Sequence, residues 1–168
     1  MRVPESKVSV VVDFLGAYRR RHPATGLSVT EVLAPAVDAP RRRIPLIGRR
    51  VPAGFPSPAD DYLEGRIDLN EHLIRHKEAT FILRVKGWSM LKAGIHDGDE
   101  LIVDRALEPE DGRIVVAIVN GEMTVKRLSK RRGKVKLLAE NPDFPPIEFK
   151  DGDELNIWGV VTRVIHKV

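Results

Sequence analysis

Ser89, in Gly87-Trp88-Ser89-Met90, and Lys126, in Thr124-Val125-Lys126-Arg127-Leu128, are the residues of this chain that could do covalent chemistry together. They lie 37 positions apart. A serine hydroxyl is a poor nucleophile at neutral pH and needs a base beside it. A lysine can be that base when burial disfavours its charged form and lowers its pKa. In a strand, Thr124, Lys126 and Leu128 share one face, which gives the lysine an apolar neighbour. The five histidines offer no comparable partner. His22 and His166 lie near the ends, His72 and His76 on an expected exposed helix, and His96 in an expected turn. Upstream, Val51-Pro52-Ala53-Gly54-Phe55-Pro56-Ser57-Pro58 holds a peptide bond between two small residues, Ala53–Gly54. Small residues let a segment lie close against a catalytic strand, and Gly54 lets the backbone bend there. A nucleophile, a base and a cuttable bond in one chain point to self-cleavage.

The elements that must position this pair are β-rich. From Thr80 onward, short runs at 81–85, 100–103, 113–119, 123–125 and 135–138 precede a longer one at 155–165. Turn signals separate them: Asp97-Gly98-Asp99, Asp111-Gly112, Asn120-Gly121, Arg132-Gly133 and Asp151-Gly152. Asn120-Gly121 between apolar runs is the strongest hairpin signal, since a type I′ turn wants both residues at positive φ. The spacing predicts a mainly β, compact and strongly bent domain. Short helices are expected at 57–63, behind Ser57-Pro58, and at 69–76, capped by Asp68, with Gly65 as a stop between them. Residues 1–53 hold six of the twelve prolines. They read as a flexible or extended arm, regular only at 6–20, where a helical face of Val8, Val11, Val12, Leu15 and Tyr18 competes with a strand. The division expected is an arm at 1–53 and a catalytic domain at 54–168.

Composition narrows the function classes. With no cysteine, disulfides and thiolate metal sites are excluded, and a cytoplasmic setting is expected. Val8–Leu15 is far short of the roughly 20 apolar residues of a membrane span, and no signal-peptide pattern accompanies it. Ten Lys/Arg against four Asp/Glu give residues 1–53 a net charge of +6, and eighteen against twenty leave residues 54–168 at −2. The arm's arginine clusters suit nucleic acid or an acidic protein face, and equally a solvated tail. No cofactor or metal is expected. Asp99 and Asp104 flank a strand without a further ligand cluster, and read as turn and surface-pairing residues. Trp158 reads as core or dimer contact. Lys130-Arg131-Arg132 with Lys134 and Lys136 reads as a solvated hairpin.

Together, Ala53-Gly54-Phe55-Pro56-Ser57-Pro58-Ala59, Arg66-Ile67-Asp68-Leu69-Asn70, Gly87-Trp88-Ser89-Met90, Gly98-Asp99-Glu100-Leu101-Ile102-Val103-Asp104, Thr124-Val125-Lys126 and Trp158-Gly159-Val160-Val161 resemble the LexA/UmuD family of self-cleaving Ser–Lys peptidases. The resemblance runs from about Val51 to the C-terminus. It implies Ser89 as nucleophile, Lys126 as general base and later acid, and Ala53–Gly54 as the scissile bond. The backbone N–H groups of Ser89 and Trp88 would face the oxyanion. It further implies an SOS mutagenesis role, a homodimer, stimulation by a RecA–single-stranded-DNA filament, and a Y-family polymerase subunit (UmuC-like) as partner. A LexA-like transcriptional repressor and a non-catalytic dimerisation module of the same fold are the alternatives. Pro52, which cannot donate a hydrogen bond, the bulky Trp88, and the length of the arm depart from the family pattern.

Overall fold

The computed structural model describes residues 28–35, 40–47, 63–150 and 152–168. Eight strands form one antiparallel sheet in the order β1-β4-β5-β10-β6-β7-β8-β9. They are β1 (Ser28–Leu33), β4 (Thr80–Lys86), β5 (Glu100–Asp104), β6 (Ile114–Val119), β7 (Glu122–Arg131), β8 (Lys134–Leu138), β9 (Ile147–Glu148) and β10 (Leu155–Ile165). A second pair, β2 (Arg43–Ile47) and β3 (Leu63–Asp68), is also antiparallel. The mainly β, strongly bent domain expected from the turn spacing is the one observed, with the large sheet curled into a half-barrel. Register shifts in β1 and at two points of β10 help it curl, because each extra residue bends its strand.

The hairpins follow their turn residues. Asn120 (φ 49°) and Gly121 (φ 85°) join β6 to β7, and Arg132 (φ 51°) and Gly133 (φ 72°) join β7 to β8. Two buried clusters hold the curled sheet. One contains Phe81, Leu83, Val85, Met90, Leu101, Val103, Val116, Val125 and Trp158. The other contains Val115, Ala117, Leu128, Leu137 and Val160. Trp158 is core: its ring packs on Phe81 at 5.2 Å between centroids, and the Arg105 guanidinium lies 5.0 Å over it. Beside it, a Cβ on Gly159 would stand 2.6 Å from Val103 Cγ1. Gly159→Ala should therefore destabilise the fold by about 1–3 kcal/mol, read as a lower urea midpoint. An unchanged midpoint would show that β10 and β5 can separate without cost.

Three expectations change. Gly65 does not stop a helix; it lies inside β3, paired with Leu46, because β2 supplies a hydrogen-bonding partner. Leu63, expected to end a helix, begins that strand, and 57–62 lie outside the described residues. The helix expected at 69–76 closes at Leu73 (α1, Leu69–Leu73). It buries no residue, so nothing rewards a further turn, and Ile74 is already extended. Its cap is as expected: Asp68 Oδ1 accepts from Asn70 N at 2.9 Å and Glu71 N at 3.3 Å. Arg42 N donates to the other oxygen, and this donor above all holds the carboxyl below its usual pKa.

The arm, expected to be regular only at 6–20, also contributes two regular strands, β1 and β2, because β4 and β3 supply hydrogen-bonding partners for its extended backbone. Val29 of β1 is buried in the core, and Pro45 sits in a two-stranded sheet, where a missing donor is tolerated. The possible helix at 6–20 lies outside the described residues.

Candidate functional site

The turn after β4 presents the serine. Gly87 adopts φ 113°, a conformation open to glycine at little cost, and its N–H donates to Asp97 Oδ1 at 2.7 Å. The chain then turns through Trp88 and Ser89 into a short 3-10 helix at Leu91–Ala93. Met90 is fully buried and anchors the turn: its carbonyl accepts from Ala93 N at 3.0 Å and Ile95 N at 3.3 Å. Ser89 is fully buried, whereas the Trp88 side chain is more than half exposed.

The lysine comes from β7. Its register sets Lys126 opposite Val115 and Thr124 opposite Ala117, so the amine rises from an apolar face. Lys126 is 1% exposed, and burial lowers its pKa from 10.5 to about 8. Its Nζ donates to Ser89 Oγ at 2.8 Å, Thr124 Oγ1 at 3.0 Å and the Val125 carbonyl at 3.0 Å. These three acceptors match the three protons of an ammonium. When one proton leaves, two N–H groups can stay on Thr124 and Val125, which aims the lone pair at the serine hydroxyl. Ser89 and Lys126, singled out from sequence, are thus brought together. Ala53 and Gly54 lie outside the described residues.

Sequence reasoning missed the segment that braces the serine turn. Asn141 Nδ2 donates to the Trp88 carbonyl at 2.9 Å, Glu140 N to the Ser89 carbonyl at 2.8 Å, and Lys92 N to the Glu140 carbonyl at 2.8 Å. Carbonyl and N–H of a trans peptide point in opposite directions. Fixing the Trp88 carbonyl therefore fixes where the Ser89 N–H points, and that N–H is a candidate oxyanion donor. Asn141 itself is nearly buried, and its Oδ1 accepts from Asp143 N at 3.1 Å. Asn-Pro after a strand reads from sequence only as a turn, so this role carried no signal. Asn141→Ala should slow self-cleavage about 10-fold or more without moving its pH dependence, since Lys126 is untouched. An unchanged rate in a pH-stepped gel assay would remove Asn141 from the site.

The aspartates also differ from expectation. Asp99 and Asp104, read as turn and surface-pairing residues, are both buried. Asp104 Oδ2 lies 2.7 Å from His76 Nδ1, and Asp104 Oδ1 accepts from Ala106 N at 2.8 Å. Asp99 does have company: its ligand atoms and those of His96 and His166 lie within 4.8 Å of one another. Long-range folding of the C-terminal residues brings His166 there, which local sequence could not reveal. The 130–136 charge run forms the exposed end of the β7–β8 hairpin, with Lys136 paired to Glu148 at 2.5 Å. A cavity of about 680 Å³ lies elsewhere, lined by Thr80, Asp104, Arg113, Arg127 and Arg163 among others, and includes neither Ser89 nor Lys126.

A curled antiparallel sheet holding a serine hydroxyl against a desolvated amine places the protein in the class of serine peptidases. Residues 45–162 match the family described as Peptidase S24-like, and the chain belongs to that family, whose members are self-cleaving serine peptidases. It is 46% identical over 136 residues to Protein SamA of Salmonella typhimurium, spanning 81% of this chain and 94% of that protein. It is 48% identical over 121 residues to Protein MucA of Escherichia coli, spanning 71% of this chain and 82% of that protein. Similarity extends to the LexA repressor of Bordetella pertussis, 42% identical over 122 residues, covering 73% of this chain and 56% of the repressor.

Proposed function

We propose that this protein is an SOS-response mutagenesis protein that cuts its own Ala53–Gly54 bond using Ser89 and Lys126. The relatives SamA and MucA are UmuD-like SOS mutagenesis proteins of the same peptidase family. The observation that carries the mechanism is the buried 2.8 Å contact between Lys126 Nζ and Ser89 Oγ.

Neutral Lys126 takes the hydroxyl proton as Ser89 Oγ attacks the carbonyl carbon of Ala53. The oxyanion that forms faces the N–H groups of Ser89 and Trp88. Collapse breaks the C–N bond, and Lys126 returns the proton to the departing amine of Gly54. The Ala53–Ser89 ester then yields to a water deprotonated by the same amine, which frees the Ala53 carboxylate and restores the serine. Cleavage removes residues 1–53 as a covalent unit. Strand β1 would then be held only by non-covalent contacts: its hydrogen bonds to β4, the Glu31–Arg84 ion pair, and the packing of Val29 and Val32 on the core. Departure of the arm therefore means peeling β1 from the edge of the large sheet and β2 from β3.

In this reading a RecA–single-stranded-DNA filament stimulates the cut in the cytoplasm. The product starting at Gly54 forms a homodimer that joins a Y-family polymerase subunit in translesion synthesis. No described helix is long and apolar enough to cross a membrane. The test is incubation of the full chain with RecA, ATP and single-stranded DNA, read by intact mass. A fragment beginning at Gly54 is expected. No fragment, or a different terminus, overturns the assignment, and sequence-specific duplex binding by the intact chain would favour a repressor instead.

A further inference from the structure

We propose that His96, Asp99 and His166 form a binding site for a divalent transition cation of the zinc, cobalt or nickel class. His96 and Asp99 belong to the turn between the 3-10 helix and β5, and His166 follows β10. The turn is preformed around the carboxylate. His96 N donates to Asp99 Oδ2 at 2.8 Å, Asp99 N to the His96 carbonyl at 3.2 Å, and Val85 N to the Asp99 carbonyl at 3.0 Å. Asp99 is 3% exposed, so its orientation is set by the fold.

Both imidazoles turn their Nδ1 atoms toward this carboxylate. His166 Nδ1 lies 2.6 Å from Asp99 Oδ1, and His96 Nδ1 lies 3.7 Å from Asp99 Oδ2. The rings stand 5.0 Å apart at 51°. Around a tetrahedral cation with bonds of about 2.0–2.1 Å, neighbouring donor atoms lie roughly 3.3 Å apart. The two observed separations, one to each carboxylate oxygen, straddle that value and all three ligand atoms lie within 4.8 Å of one another, so side-chain rotations would bring them onto one cation.

A second, independent observation points to a ligand. His96 Nδ1 is buried and has no hydrogen-bond partner. A buried polar atom left unsatisfied is costly, and a metal bond would satisfy it. The two imidazole side chains are each about half exposed, which leaves a way in from solvent.

The donor set selects the ion. Two imidazole nitrogens and one carboxylate suit zinc, cobalt or nickel, whereas magnesium and calcium prefer oxygen alone. With neutral histidines the site carries one negative charge, which a dication reverses. Three protein ligands leave a fourth position for water. Such a cation would tie the end of β10 to a turn that is itself joined to the serine turn, through Gly87 N to Asp97 Oδ1 and Ile95 N to the Met90 carbonyl.

The experiment uses the full chain, freed of any affinity tag and stripped with chelator, titrated with Co²⁺ and followed by visible absorption. Saturation at one equivalent, with loss of the bands on adding Zn²⁺, is expected. His96→Ala and His166→Ala should each weaken binding by at least about 10-fold, while His72→Ala should not. Circular dichroism establishes that the variants fold. Zn²⁺ should also shift the imidazole resonances of His96 and His166, and not those of His72, in the wild-type protein, a readout that needs no variant. Absence of saturable binding, equal binding in the His96 and His166 variants, or unshifted resonances would overturn the site.

Discussion

Ser89→Ala is expected to leave the chain intact under conditions that convert the wild type completely, a loss of at least about 10⁴-fold in self-cleavage. In the proposed mechanism the variant removes the attacking atom, so neither the oxyanion donors nor the base can compensate. Lys126→Ala should fail to a similar degree, because a serine without a base is almost unreactive at neutral pH. The double variant should be no worse than either single one, since the two groups act in one step. Lys126→Arg should also fail: a guanidinium stays protonated across the accessible pH range and cannot accept the hydroxyl proton. Each outcome is read by intact mass over time. If Ser89→Ala or Lys126→Ala still yields a product starting at Gly54, the nucleophile and base lie elsewhere.

The second large effect is on pH dependence, and it links catalysis to stability. Lys126 has a pKa of about 8 in the fold against 10.5 unperturbed. Below pH 8 it is protonated in both folded and unfolded chains, and the fold carries the full cost of burying the ammonium. Between about pH 8 and 10.5 the unfolded chain binds more proton than the folded one, so rising pH relieves that cost. The shift corresponds to roughly 3 kcal/mol. Lys126→Met, which keeps the bulk and drops the charge, should therefore be more stable than wild type by up to roughly 3 kcal/mol at pH 7. The difference should narrow as pH climbs through that window, as urea melts at several pH values would show. In the wild type, self-cleavage should rise about tenfold per pH unit below pH 8 and level off above it, following the neutral amine. A Lys126→Met variant no more stable at pH 7, together with a flat cleavage profile, would mean that the amine is not desolvated.

These two effects have one origin. The lysine that costs stability at neutral pH does so because Val115 and Leu128 surround its strand face with apolar side chains. The same burial makes it a usable base. Thr124 Oγ1 and the Val125 carbonyl hold two of its protons, so the third position is directed at Ser89. In the proposed mechanism the local strand, β7, supplies the base and both of its anchors, and the turn after β4 supplies the nucleophile and the oxyanion-facing N–H groups.

Much of this was legible in the chain. Asn120-Gly121 and Arg132-Gly133 declared their hairpins because few residues accept positive φ. The apolar runs became strands where two-residue turns separated them, and Asp68 capped a helix as its side chain allows. Period-two alternation put Lys126 on an apolar face before any contact was known. Where sequence reading failed, the deciding partner was distant. Gly65 entered a strand because β2 lies alongside β3. The helix at Leu69 closed early because it buries no residue. Asn141 reaches across 53 positions to Trp88, and His166 across 67 to Asp99.

The sequence alone determined which groups could react, the β character of the body and the tight turns between its strands, since these depend on residue type and near neighbours. Tertiary packing brings Ser89 and Lys126 to hydrogen-bond distance, keeps the amine dry enough to titrate near pH 8, and sets Asn141 against the Trp88 carbonyl. Those properties depend on desolvation and on contacts between strands far apart in the chain, and no local pattern of residues encodes how closely a curled sheet brings them together.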